Sequence, residues 1–234
     1  MKPFTFKQFE VRQSADVFRI GTDGVLLGAL ADIKDAAKVL EVGTGTGLIS
    51  LMLAQRNPDM DLLGLDINEE AVRLTEVNFK NSPFYLRLRN IHQDFKTFKT
   101  EEKFDGIVSN PPYFEASGSE KDKIARQTVE LNFRQLIAKA SELLSEQGVF
   151  SVIIPAEAGN KFTKFAQENQ LFLIRRIHIK GIKNSKVKRL ILEFSLAGKI
   201  LQESEFIIEK SPRLYSDEYL EITKEFHVFN NSKD

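Results

Sequence analysis

The stretch Lys38-Val39-Leu40-Glu41-Val42-Gly43-Thr44-Gly45-Thr46-Gly47-Leu48 decides the fold. A short apolar run meets glycines at alternate positions, and Leu48 to Arg56 follows with the apolar content of a buried helix stopped by Asn57-Pro58. Strand, glycine turn, helix is the unit from which parallel sheets flanked by helices are built. Glycines at 43, 45 and 47 let the backbone turn sharply and approach a ligand at a helix N-terminus with no Cβ in the way.

The same alternation continues outward. Leu62 to Asp66 reads as a second strand, and Asn68 as the N-cap of a helix with Glu69 and Glu70 in its first turn and Ala71, Leu74 and Val77 facing inward. Leu86 to His92 is a third strand ending near Asp94, and Phe104 to Ser109 a fourth that runs into Asn110-Pro111-Pro112-Tyr113. The spacing of Leu136, Ile137, Ala140, Leu143 and Leu144 marks an amphipathic helix that Gly148 is placed to close, with Val149 to Ile154 as the fifth strand. Phe162, Phe165 and Ala166 suggest another helix. Leu171 to Ile179 and Arg189 to Leu196 are expected to pair antiparallel across a loop with Gly181, Asn184 and Ser185. Residues 1–20 alternate apolar and polar as a small β appendage, residues 200–234 form a C-terminal extension, and 1–234 is expected to be a single domain.

Composition narrows the classes. The 234 residues are 42% hydrophobic and 28% charged, with no cysteine and no tryptophan, which suits a soluble globular protein and excludes a disulfide framework or thiolate zinc site. His92, His178 and His227 lie far apart with no ligand spacing, so no metal is assigned. Lysine plus arginine and aspartate plus glutamate both total 33, so any basic face is local. The apolar run Val25 to Ala31 contains Gly28 and is too short to span a membrane, and a cytoplasmic protein with no membrane partner is expected.

Asp66 ends the second strand 19 residues after Gly47, the separation at which an acidic side chain accepts hydrogen bonds from a ribose diol. Those features alone suit NAD and S-adenosylmethionine equally. G-x-G-x-G departs from the dinucleotide pattern, and Glu41 would repel a pyrophosphate while suiting a cationic amino acid. The prolines at 111 and 112 remove two backbone donors, leaving the Asn110 side-chain carbonyl and the Pro111 carbonyl as fixed acceptors. An exocyclic amine or amide nitrogen can donate to both, freeing its lone pair to attack an electrophilic methyl. Tyr113 offers a flat face for stacking.

On these residues the chain resembles the class I S-adenosylmethionine-dependent N-methyltransferases that carry an Asn-Pro-Pro-Tyr motif, over most of residues 15–200. The resemblance implies an α/β fold with a Rossmann-like seven-stranded sheet, helices on both faces and the last strand antiparallel. It further implies that Glu41, Gly43 and Gly45 hold the methionine part of the cofactor, Asp66 the ribose and Asp94 the adenine amino group. Asn110, which also borders the cofactor, would be catalytic with Pro111 and Tyr113. Gly21-Thr22-Asp23-Gly24-Val25-Leu26-Leu27-Gly28 resembles the N-terminal signature of the bacterial tRNA1(Val) adenine-37 N6-methyltransferases, in which the residues matching Thr22 and Asp23 line the methionine end. Ala125-Arg126, Leu214-Tyr215-Ser216, Tyr219 and Lys224-Glu225-Phe226 are similar to that family as well, with His227 where a tyrosine is usual. Transfer of a methyl group to an adenine N6 in tRNA is the implied reaction.

Arg175 to Arg189 holds seven cations and no acid, which reads either as a phosphate track or as a solvated hairpin whose lysines blunt an exposed edge. On the first reading Lys183, Lys186, Lys188 and Arg189, with Arg126, contact RNA. Protein glutamine N-methyltransferases pose the same chemistry but usually carry a long helical domain ahead of the glycine motif, whereas 42 residues of partly β character precede Gly43 here. They rank second, ahead of ribosomal RNA guanine or DNA adenine methylation and of a non-catalytic nucleotide-binding module.

Overall fold

The computed structural model describes residues 2–17, 20–112 and 120–227, with the backbone alone for 120–131. In chain order the elements are β1 (Phe4–Thr5), β2 (Glu10–Val11), α1 (Thr22–Leu30), β3 (Lys38–Val42), α2 (Leu48–Arg56), β4 (Asp61–Asp66), α3 (Glu69–Lys80), β5 (Leu88–His92), β6 (Phe104–Ser109), α4 (Glu120–Leu143) and β7 (Leu144–Pro155). They are followed by α5 (Gly159–Glu168), β8 (Phe172–Lys180), β9 (Val187–Ser195), β10 (Gln202–Ile207), β11 (Glu209–Ser211), β12 (Leu214–Tyr215) and α6 (Asp217–Thr223).

The main sheet has the order β10-β8-β9-β7-β6-β3-β4-β5. The strands β3 to β7 pair in parallel, whereas β9 runs antiparallel to both β7 and β8. The expected seven strands are therefore present, with the seventh reversed. The count itself is corrected to eight, because β10 from the C-terminal extension adds in parallel outside β8. Its sequence, Gln202-Glu203-Ser204-Glu205-Phe206-Ile207, lacks the apolar run of an inner strand because it is an edge strand with one buried anchor, Phe206.

Successive strand residues feed opposite layers, as the two-residue period of a strand requires. Val39, Val108, Ile153 and Ile191 face a core built with α1 and α2, while Leu40, Ile107, Ile154 and Leu192 face a second core built with α4 and α5. Burial on both faces explains why these strands read as continuous apolar runs. The helix α2 is buried from Leu48 through Ala54 between the sheet and α1, and it stops where Asn57 turns its amide to the carbonyls of Ile33 (2.8 Å) and Ala36 (2.9 Å). Asn68 caps α3 by accepting from Glu70 N (2.9 Å).

Two local expectations change. The inward face of α3 is Ala71, Thr75, Asn78 and Phe79, and Val77 is 38% exposed. The polar pair Thr75 and Asn78 displaces the apolar stripe because both find partners in the glycine turn. Gly148 does not close a helix: α4 ends at Leu143 and Gly148 lies inside β7, at a bulge where a Cβ would sit 2.8 Å from the Phe104 carbonyl. Close approach of two strands, not a left-handed cap, explains that glycine.

The N-terminal appendage is a short β1–β2 hairpin. Phe6 forms a bridge with His227 and stacks on its ring at 5.5 Å, and Phe6 and Phe9 stack at 4.7 Å. The two ends of the described chain thus pack together on the α1/α2 side.

Candidate functional site

Strand register gathers the candidate residues on one rim. Val42 lies opposite Leu65 and Ser109, and Asp66 opposite His92. Gly43, Asp66, Asp94 and Asn110 consequently follow the C-terminal ends of neighbouring parallel strands, where open α/β sheets bind ligands. The Ser109 hydroxyl donates to the Val42 carbonyl at 2.9 Å, tying the start of the Asn-Pro-Pro segment to the glycine turn.

The three glycines have φ of +78°, +59° and +79°. At Gly43 and Gly45 a Cβ would meet nothing within 4 Å, so the left-handed turn borders open space. At Gly47 a Cβ would lie 2.8 Å from Phe79 and 3.1 Å from Thr75, so protein packing alone demands that glycine. The first two form a cradle and the third a hinge against α3.

Glu41 sits beneath the cradle at 1% exposure. Its Oε2 accepts from Ser50 N (3.0 Å) and from the Ser50 hydroxyl, and its Oε1 has no hydrogen-bond partner among the described residues. Burial pushes its pKa up to about 8, opposed by the Ser50 hydrogen bonds and reinforced by the charge of Asp66. A buried carboxyl with one vacant oxygen beside an open glycine turn matches the cationic amino group of an amino-acid-like cofactor.

Asp66 braces the turn from the other side, Oδ2 accepting from Gly45 N and Oδ1 from Asn68 N, both at 2.8 Å. A carboxylate has about four acceptor sites, so two remain for a diol. Asp94 caps Lys96 N at 2.9 Å, with the Lys96 ammonium 3.5 Å away. Asn110 is half-buried, and its side chain makes no hydrogen bond to another described residue. Pro111 is buried and Pro112 exposed. Tyr113 lies outside the described residues, and Arg126 lies on α4 with its side chain outside them.

Thr22 and Asp23 begin α1. Asp23 Oδ2 accepts from Arg189 Nε at 2.9 Å, both side chains being about one-fifth exposed (20%). The basic segment is accordingly less basic than it reads. Arg175 pairs with Glu193, Arg176 with Glu203 at 2.7 Å and Lys180 with Glu205 at 2.5 Å, the last two acids standing on β10. Lys183, Lys186 and Lys188 have no acidic partner among the described residues. Arg189 lies opposite Pro155, the C-terminal end of β7, so the loop carrying Lys183 and Lys186 rises from the same rim as Asn110.

Three supporting residues escaped the sequence reading. Ser50 holds Glu41, Thr75 donates to the Gly45 carbonyl at 2.9 Å, and Asn78 donates to the Thr46 carbonyl at 2.8 Å. The available signal was the pair of polar residues three apart on the inward face of α3.

Fold and site together define a class I S-adenosylmethionine-dependent methyltransferase: a reversed seventh strand, an open glycine cradle over a buried acid, and an acid ending the next strand. The chain belongs to the methyltransferase small domain family, whose model matches residues 8–170. It is 55% identical over 98% of its length to the whole of a tRNA1(Val) (adenine(37)-N6)-methyltransferase from a Flavobacteriaceae bacterium (strain 3519-10). It is 38% identical over 97% of its length to 98% of a protein of the same description from Aliivibrio fischeri. Among solved structures, a predicted O-methyltransferase from Agrobacterium tumefaciens superposes with a TM-score of 0.71 at 16% identity, covering 87% of this chain and 96% of that one, which concerns the fold alone.

Proposed function

We propose that this chain transfers the methyl group of S-adenosylmethionine to the exocyclic N6 of an adenine in tRNA, the adenine at position 37 of tRNA1(Val), as the relatives' descriptions suggest. The observation that carries the reading is Asn110, a half-buried amide without a hydrogen-bonding partner among the described residues, leading into two prolines beside the glycine cradle. The cofactor supplies an electrophilic methyl group. The chain's own residues do the positioning.

In this reading Glu41, Gly43, Gly45, Thr22 and Asp23 hold the methionine end, Asp66 takes the ribose diol with its remaining acceptor sites, and Asp94 takes the adenine amino group of the cofactor. The Asn110 and Pro111 carbonyls accept from the target amine, which draws its lone pair out of conjugation, and Tyr113 stacks on the base. A stacked adenine cannot reach this position, so the nucleotide is flipped out of the anticodon loop. Lys183, Lys186 and Lys188, with Arg126, follow the RNA backbone, while Arg189 is committed to Asp23. The chain acts as one cytoplasmic domain, with residues 202–207 of the C-terminal extension adding to the sheet edge as β10.

Incubation with labelled S-adenosylmethionine and total tRNA, followed by nuclease digestion and mass spectrometry, is expected to place N6-methyladenosine in the anticodon loop. Label found only in protein glutamine would transfer the assignment to the amide methyltransferases.

A further inference from the structure

Asn78 is 1% exposed, and its amide spends every contact on segments remote in sequence. Its Oδ1 accepts from Arg12 N at 2.9 Å, and its Nδ2 donates to the Arg12 carbonyl at 3.1 Å and to the Thr46 carbonyl at 2.8 Å. Thr46 belongs to the glycine turn. Arg12 begins the stretch that crosses from β2 to α1 and delivers Thr22 and Asp23. The same stretch is tethered again where Asn68 Nδ2 donates to the Asp16 carbonyl at 3.2 Å.

We propose that Asn78 is a positioning residue for cofactor binding, whose amide clamps the 12–17 segment to the glycine turn so that both walls of the pocket stand assembled before the cofactor arrives. An amide is required because the clamp uses one acceptor and two donors at a single buried point, and no other uncharged side chain of that length supplies them. A buried polar group is tolerated only when its partners are present, so the clamp closes in one arrangement. Without it the two walls move independently, and binding must order them, which weakens affinity without touching the reacting atoms. Thr75, one turn earlier, holds the Gly45 carbonyl and does not reach the crossing segment, so of the two inward polar residues of α3 only Asn78 joins that segment to the glycine turn. The inference rests on the assignment of residues 43–47 and 22–23 to the cofactor pocket.

Titration of the full chain with S-adenosylhomocysteine by calorimetry tests it. Asn78→Ala is expected to weaken binding about tenfold relative to the unmodified protein at every pH, the usual consequence of losing buried hydrogen bonds. Asn78→Asp is expected to bind at least as poorly near pH ~8, where a carboxylate faces two carbonyls. It should regain affinity relative to the unmodified protein as the pH falls toward ~5.5, because a protonated carboxyl can donate again. Arg12→Pro deletes the donor on the other side and leaves α3 intact; it should weaken binding about fivefold and add little to Asn78→Ala. Variants that bind like the unmodified protein while melting at lower temperature would make Asn78 merely structural and overturn the inference. So would an Asn78→Asp defect that ignores pH. If the unmodified protein binds no S-adenosylhomocysteine, the pocket assignment falls first and takes the clamp with it, an outcome distinct from equal binding by all variants.

Discussion

With Glu41 facing the amino group of the cofactor, as proposed above, cofactor binding is expected to release a proton. Burial raises its pKa from 4.5 to about 8, so at pH ~7 about nine-tenths of the ligand-free protein carries the proton. The cationic amino group of S-adenosylhomocysteine favours the carboxylate, and binding is expected to expel about 0.9 proton at that pH. The same linkage sets the pH slope: affinity should rise about ninefold between pH ~6 and ~7 and about fivefold between ~7 and ~8, then level off. Stability moves the other way. A folded-state pKa raised above the unfolded value stabilises fully below pH 4.5, and that contribution is lost as pH climbs through about 8. The loss amounts to at most about 5 kcal/mol at 1.36 kcal/mol per unit. Calorimetric titrations in two buffers of different ionisation enthalpy give the proton count directly, with thermal melts of the ligand-free protein alongside. Glu41→Gln should abolish the proton release and flatten both pH profiles. Affinity independent of pH over this range, with no net proton release, would mean that Glu41 is already ionised and would refute the argument.

Asn110→Ala is expected to lower turnover by roughly 100-fold or more with S-adenosylhomocysteine affinity nearly intact, since in the proposed reaction the amide acts on the target amine; equal loss of both in a folded variant would make Asn110 a structural residue. Replacing Lys183, Lys186 and Lys188 with Ala should weaken tRNA binding and reduce its log–log salt slope by roughly 0.7 to 0.9 per lost contact, as measured by filter binding across salt concentrations. Arg189→Ala should act on the cofactor instead, raising the KM for S-adenosylmethionine because Asp23 loses its 2.9 Å partner; a pure tRNA-binding defect would contradict this. Gly47→Ala should lower the melting temperature sharply, because the left-handed backbone costs about 1–2 kcal/mol and the new methyl collides with Phe79. Gly45→Ala, which faces open space, should cost less stability and more cofactor affinity.

The sequence by itself determined the parts whose physics is local. A strand buried on both faces is mostly apolar, a helix needs a cap, and a left-handed turn needs glycine, so β3, the turn at 43–47, α2 and the Asn68 cap were legible one residue at a time. The candidate acids at 41 and 66 were legible for the same reason, since they adjoin those elements. What only the tertiary structure decided depends on partners distant in sequence. The edge strand β10 has a sequence no strand pattern selects; its backbone pairs with β8 and Phe206 is buried, while Glu203 and Glu205 meet Arg176 and Lys180 across the sheet edge. That pairing, with Arg189 on Asp23, also thins the apparent basic track to its lysines. The inward turn of Asn78 violates the apolar period of α3, and only folding brings it the backbone of Arg12, 66 residues away, and of Thr46, 32 residues away. A buried polar side chain is selected by its partners, and those partners exist only once the chain has closed around it.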